Sequence, residues 1–283
     1  MIVEKSLRKY FPLFALPGII CFLLAFLIPM IMGIYLSFCE FTNVTNAKWV
    51  GLNNYITAFT VDNYFSSALW LTIKFTIVSV ITINFFAFGF ALLLTRGITG
   101  TNVFRTIFFM PNLIGGIVLG WIWQVIINGI LYTQGVTIVS DPKYGFWGLV
   151  VLMNWQNVGY MMVIYIAAIQ NIPSDMLEAA AIDGANYPTI LRKIIIPTVM
   201  PSITICLFMT VTNGFKLFDQ NLALTAGEPG KQTEMLALNI YNTFYGRTGF
   251  EGVGQAKAVV FTLIVAAIAL LQLKLTRSRE VQQ

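Results

Sequence analysis

The sequence predicts an all-α membrane protein with six transmembrane helices. Three observations carry this: the composition, the apolar runs, and where the basic residues sit. Of 283 residues, 57% are hydrophobic and only 10% charged, against roughly 25% charged in a soluble domain. Six apolar runs approach or exceed the about 20 residues that a helix needs to cross the hydrocarbon core. Lys and Arg gather at the ends of these runs, at the level of lipid headgroups. A net charge of +5 distributed in this way suits a bilayer and argues against nucleic acid.

The first run covers about residues 12–38 and follows Lys5, Arg8 and Lys9. It is longer than the apolar core of a signal peptide. At 1.5 Å per residue it exceeds a hydrocarbon thickness of roughly 30 Å, so it should be a retained span, tilted or bent at Pro17 and Pro29. The second run is 67–95. The third, 106–129, contains Pro111, Gly115, Gly116 and Gly120. The fourth is 146–170, the fifth 198–219 and the sixth 255–275. No internal repeat is evident, so the whole chain, 1–283, reads as one transmembrane domain with its core at 67–276.

Orientation follows from Lys and Arg. Ten lie in the N-terminus, the second and fourth loops and the C-terminus: Lys5, Arg8, Lys9, Arg96, Arg105, Arg192, Lys193, Lys274, Arg277 and Arg279. Four lie in the odd-numbered loops: Lys48, Lys143, Lys231 and Arg247. The positive-inside bias places both termini in the cytoplasm.

The chain contains no His, which removes the commonest general base and metal ligand. Cys21, Cys39 and Cys206 lie in or beside apolar runs with no ligand spacing, and are expected to pack as small buried hydrophobes. No metal site and no catalysis are expected. There is no G-x-x-x-x-G-K-[ST] loop, so a fused ATPase domain is not expected.

The loop between the fourth and fifth spans, 171–197, contains "EAAAIDGANYPTILRKIIIP". Ser174 after Pro173 suits an N-cap, with Asp175 and Glu178 near the positive end of the helix. Ala179, Ala180 and Ala181 favour helix and leave a low surface. Gly184 is placed to end the helix. A second short helix from Pro188 to Ile196 follows, and Pro197 admits the next span. By spacing alone this cytoplasmic elbow is either a solvated connector or a docking knob, with Asp183 and Glu178 offering charge and the alanines permitting close approach.

The segment resembles the "EAA" signature of permease subunits in bacterial ATP-driven importers: Glu-Ala-Ala, a Gly six residues after the Glu, then Ile-x-Leu-Pro. Glu178, Ala179, Ala180, Gly184, Ile194 and Pro197 match, and Ile196 stands for Leu. "FRTIFFMPNLIGGIVLGWIWQVIIN" and "NGFKLFDQNLALTAGEPG" look like the third span and fifth-span exit of sugar permeases of the maltose and multiple-sugar type, first member of the pair. The turn at Thr225–Pro229 departs modestly from that branch.

This resemblance implies a type I ABC importer transmembrane domain (MetI-like) in a bacterial inner or plasma membrane. It implies a second homologous permease, two ATPase subunits that bind ATP and Mg²⁺ between them, and an external or periplasmic solute-binding protein delivering a sugar. In relatives the Glu-Ala-Ala helix docks in an ATPase cleft, which gives Glu178, Ala179, Ala180, Asp183 and Gly184 a coupling role. No cofactor is implied in this chain.

A sugar site can be read on two spans. Asn154, Asn157 and Tyr160 fall at i, i+3 and i+6 in the fourth. Amides and a phenol donate and accept, which suits hydroxyls; interhelical hydrogen bonding is the other use of such residues. In the maltose permease a Tyr eighteen residues before the signature Glu contacts sugar, and Tyr160 holds that place. In the fifth span Thr210 and Asn213 share a face, and Asn213 matches a polar position in relatives. Lys216 and Asp219 are expected to pair. Trp121, Trp123 and Trp155 could stack on a sugar ring, with packing or anchoring as their other use. The alternatives are another polar solute, such as a polyol or glycerol phosphate, and a secondary transporter. The latter should carry ionisable groups deep in its spans, where only Lys74 is a candidate.

Overall fold

The computed structural model describes residues 2–277. Its helices are α1 (Ile2–Phe22), α2 (Ile28–Leu36), α3 (Asn53–Thr60), α4 (Asn63–Leu94), α5 (Thr101–Phe109), α6 (Gly116–Leu131) and α7 (Pro142–Gln170). They continue as α8 (Ser174–Ile182), α9 (Tyr187–Ile190), α10 (Ile196–Thr198), α11 (Met200–Phe215), α12 (Asp219–Leu224), α13 (Leu236–Gly246) and α14 (Glu251–Arg277). A short antiparallel hairpin, β1 (Cys39–Glu40) and β2 (Lys48–Trp49), pairs Cys39 with Trp49 and Glu40 with Lys48. Among the described residues, five helical segments are long and apolar enough to cross a membrane, and there are six when the pair Tyr187–Thr198 with Met200–Phe215, bent by 69°, counts as one span. Arg279, counted in the C-terminal basic cluster, lies outside the described residues.

With the bent pair counted as one span, the number agrees with the sequence reading, and prolines mark the changes within the first, third and fifth spans. In the first span Pro17 leaves α1 unbroken, while a π-turn at Leu23–Leu27 precedes Pro29. There the Ile28 amide bonds the Leu23 carbonyl, five residues back. The same device precedes Pro197: a π-turn at Leu191–Ile195, with the Ile196 amide on the Leu191 carbonyl. A widened turn absorbs the missing donor and the ring. Pro197 therefore does not open the fifth span as expected. The break falls at Val199, and Pro201 sits in the first turn of α11, where its missing N–H costs nothing. The third span starts at Gly116 rather than 106: α5 ends at Phe109, a 3₁₀ turn at Met110–Leu113 contains Pro111, and Ile114 and Gly115 are extended.

The chain divides into two compact units. One runs through Asn63 and takes up Ile240–Thr262. In it the Asn54 amide donates to the Ser37 and Cys39 carbonyls at 3.0 and 2.8 Å, tying α3 to β1. Buried Asp62 accepts from Lys257 at 2.7 Å and from Arg247 at 3.3 Å, and the Lys257 ammonium also reaches the Thr243 hydroxyl.

The other unit comprises Tyr64–Asn239 and resumes at Leu263. Its axis is α7, whose Leu149, Leu152, Met161, Met162 and Tyr165 are buried against Ile83 and Ala87 of α4, Leu119 of α6, Cys206 of α11 and Leu224 of α12. A polar clasp joins three of these helices. The Tyr165 hydroxyl donates to Asn84 Oδ1 at 2.6 Å, and Asn84 Nδ2 donates to Thr210 Oγ1 at 3.1 Å. All three cysteines are free; Cys39 and Cys206 are buried, but Cys21 is exposed on the first span, contrary to expectation.

Candidate functional site

A polar cavity of about 250 Å³ opens where α7, α11, α12 and the turn before α6 converge. On α7 the lining stripe is Met153, Gln156 and Asn157, at i, i+3 and i+4 on one helical face. Asn213 comes from α11, Lys216 and Leu217 from the link to α12, Gln220 from α12, and Asn112 from the 3₁₀ turn. The close seat of α12 on α6 depends on glycine. A Cβ at Gly120 would come within 2.7 Å of the Ala223 Cβ, and one at Gly116 within 2.7 Å of the Asp219 Cβ. That seat holds Gln220 over the cavity.

The amides are cross-linked around the rim. Gln220 Nε2 donates to Gln156 Oε1 at 2.7 Å, and Asn213 Nδ2 to Asn157 Oδ1 at 3.4 Å. Gln156 Nε2 donates to the Ile114 carbonyl at 3.3 Å, and Asn157 Nδ2 to the Met153 carbonyl at 3.1 Å. These bonds leave the side-chain oxygens of Asn112, Asn213 and Gln220 free to accept. The pairing expected between Lys216 and Asp219 is absent among the described ion pairs, and Lys216 turns to the cavity instead.

Of the residues singled out from sequence, Asn157 and Asn213 meet at this cavity. Asn154, Tyr160 and Thr210 do not line it. The Asn154 amide bonds the Val150 carbonyl one turn back, and its Oδ1 is buried without a partner. Tyr160 packs its ring against Phe109. Thr210 belongs to the Asn84–Tyr165 clasp. Trp123 packs edge-on against Trp155, while Trp121 lies exposed on α6. Lys74 sits over the Trp70 ring and is no part of the cavity lining. The residues missed were Asn112, Gln156 and Gln220. Gln156 was visible beside Asn157 in "NWQNV", but a stripe read at i, i+3 and i+6 drifts off the face set by i, i+3 and i+4.

The second candidate surface is the elbow. Ser174 is the first helical residue of α8 rather than its N-cap; Pro173 takes that place, and the Ser174 hydroxyl turns to Asp175. The C-terminus closes as the sequence suggested. The Ala185 amide bonds the Ala180 carbonyl and the Gly184 amide the Ala181 carbonyl, with Gly184 at φ +77°. This 6→1 and 5→2 pairing requires a left-handed residue, which glycine adopts without a Cβ penalty. The next helix starts at Tyr187, capped by Asn186, whose side chain accepts from the Thr189 amide at 3.1 Å. The Arg96 guanidinium lies 4.5 Å from the Tyr187 ring centre and ties the elbow to the end of α4. Glu178, Ala179, Asp183 and Gly184 are exposed, Ala180 is half-buried, and Ile182 is 86% exposed. A helix that leaves small residues, two acids and a bare Ile on its surface offers a contact face.

Comparison with known proteins gives a consistent answer. Residues 86–279 match the family described as "Binding-protein-dependent transport system inner membrane component". The "Probable starch degradation products transport system permease protein AmyD" of Thermoanaerobacterium thermosulfurigenes is 42% identical over 95% of this chain and 94% of its own. The "Multiple sugar-binding transport system permease protein MsmF" of Streptococcus mutans is 29% identical over 99% of this chain and all of its own. Among solved structures, a chain of a bacterial ABC transporter involved in import of the acidic polysaccharide alginate superposes with a TM-score of 0.81. It covers 98% of this chain and 99% of its own, and at 19% identity it establishes the fold. The chain therefore belongs to the inner-membrane components of binding-protein-dependent transport systems, as a permease subunit of an ABC importer with the type I transmembrane fold.

Proposed function

We propose that this permease passes a sugar, in particular a short oligosaccharide, received from an external solute-binding protein. It works beside a second homologous permease and above two ATPase subunits that hold ATP and Mg²⁺, with both termini cytoplasmic. The observation that carries the substrate class is the cavity lined by five amides from α7, α11, α12 and the 3₁₀ turn. Amides that both donate and accept match hydroxyls, which do the same. At about 250 Å³ the cavity falls below the roughly 300–1,000 Å³ of a complete small-molecule site, which suits a half-site closed by a partner permease. The names carried by the relatives, starch degradation products and multiple sugars, point the same way.

In this reading α8 couples transport to ATP. Glu178 pairs with a basic residue of the ATPase, Ala179, Ala180 and Gly184 let the surfaces close, and Asp183 adds to the acidic face. The 69° bend at Val199 joins the elbow to α11, so rotation of the elbow is transmitted to the helix bearing Asn213. One observation favours a second reading. Lys216 faces the cavity without Asp219 as a partner, which would suit the phosphate of a solute such as glycerol phosphate.

The test is uptake by proteoliposomes holding both permeases, the ATPases and the binding protein. Oligosaccharide accumulation that needs ATP and the binding protein supports the sugar reading. Uptake of glycerol phosphate in its place supports the second. Uptake driven by an ion gradient without ATP contradicts both.

A further inference from the structure

The segment that follows the first span leaves an apolar stripe on its outer surface. Along α3 and its entry, Leu52, Ile56 and Phe59 fall at i, i+4 and i+7 on one face, and they are 62%, 57% and 48% exposed. The opposite face is buried and includes a polar residue: Asn54 faces inward with Ala58, satisfied by the Ser37 and Cys39 carbonyls. Trp49 of β2 is exposed as well, at 62%, and it shares the Phe38 ring with Tyr55 of α3. Asn53 and Thr60 are exposed as well, so the outer surface of α3 is an apolar stripe flanked by polar residues, the pattern of a helix that lies in an interface.

The face is continuous with a lipid-facing surface. Trp49 stacks on Phe38 at 5.3 Å and meets Tyr35 of α2 at 5.9 Å. Tyr35 lies in the span Leu13–Leu36, of whose most apolar stretch only 6% is buried. Trp and Tyr at the end of such a span sit at headgroup level. We infer that Trp49, Leu52, Ile56 and Phe59 form an interfacial anchor, laying α3 flat on the leaflet opposite the N-terminus with its apolar face in the acyl chains. Glu40 stands opposite Lys48 in the hairpin, so the anchor has little net charge and holds equally to neutral and anionic lipid. It fixes the first span against sliding and tilt.

The test is spin-label accessibility on the full chain in phosphatidylcholine nanodiscs, with Cys21→Ser to remove the exposed thiol. Labels at Leu52→Cys, Ile56→Cys and Phe59→Cys should favour collision with oxygen over a water-soluble nickel chelate several-fold more than a label at the exposed Thr45→Cys. Adding phosphatidylglycerol should leave these ratios unchanged. Nickel-dominated collisions at all four positions would overturn the inference, since the face would then lie in water. Exclusion of both reagents would overturn it too, because a protein surface would be covering α3. The assembled transporter should give the same ratios, and exclusion of both reagents there would likewise overturn the inference, because another subunit would be covering α3.

Discussion

Replacing Gly159 tests the packing that holds the cavity in shape. Gly159 lies on α7 two residues beyond Asn157, and a Cβ there would overlap the Phe108 carbonyl of α5 and crowd the Phe109 amide. Both obstacles are backbone, so no side-chain rotation relieves them, and α5 and α7 must separate. Overpacking of this kind costs roughly 1–3 kcal/mol, and Gly159→Ala should fall at the upper end because two helices must move. Gly129→Ala is the control: that glycine is also helical, but nothing lies within 4 Å of its added Cβ. Its expected effect is nil or a gain of up to about 1 kcal/mol from helix propensity. Thermal unfolding of the two full-length variants in the same nanodiscs should show Gly159→Ala several degrees below wild type and Gly129→Ala at or slightly above it. Uptake should fall in the first variant alone. Equal midpoints for both would refute the argument that α5 and α7 meet backbone to backbone.

Other outcomes follow from the geometry. Glu178→Ala removes the charge proposed to meet the ATPase; a charge-assisted hydrogen bond contributes roughly 1.5–3 kcal/mol, so co-purification of ATPase should weaken about tenfold or more. Gly184→Trp, at φ +77°, should abolish uptake while the protein still inserts, and normal assembly in both variants would contradict the coupling role of α8. Tyr165→Phe removes the 2.6 Å bond to Asn84 and should lower stability by about 0.6–1.7 kcal/mol, the range for interhelical bonds in membranes, without changing which sugar competes for uptake; a change in sugar preference would place the clasp at the substrate site. For topology, cysteine introduced at Gly230 should label from outside intact cells and cysteine at Lys274 only after permeabilisation; labelling of the Lys274 site in intact cells would invert the orientation.

Hydropathy and charge made the six spans legible because each needs only length and composition. The elbow was legible for a different reason. Ala-rich helix, Gly at the left-handed cap and Pro in the next helix are local signals, and the bonds at Ala180, Ala181 and Gly184 answer them directly. Proline misled at Pro197, where a π-turn absorbs it and the break falls two residues later at Val199, since a sequence window shows the missing donor but not its accommodation. The helices α3, α12 and α13 were overlooked because they are too short to span and register only as mixed loops. Overlooking α12 hid Gln220, the one lining residue that it contributes. Asn157 and Asn213 were singled out because each shares a helical face with another polar residue inside an apolar run, and because Asn213 matches a polar position in relatives. Thr210 stood out equally, yet its hydroxyl is engaged by Asn84. The distinction between lining a cavity and clasping two helices depends on partners from other spans, which no local window contains.

The central claim is that substrate passes this chain at the amide cavity. Its most direct test is a cryo-EM map of the assembled importer held with oligosaccharide and a non-hydrolysable ATP analogue. The account predicts sugar density within hydrogen-bond distance of Gln156, Asn157 and Asn213, with Gln220 released from Gln156 or bonded to a hydroxyl. Sugar density held wholly by the second permease, with the Gln220–Gln156 and Asn213–Asn157 bonds intact, would contradict it.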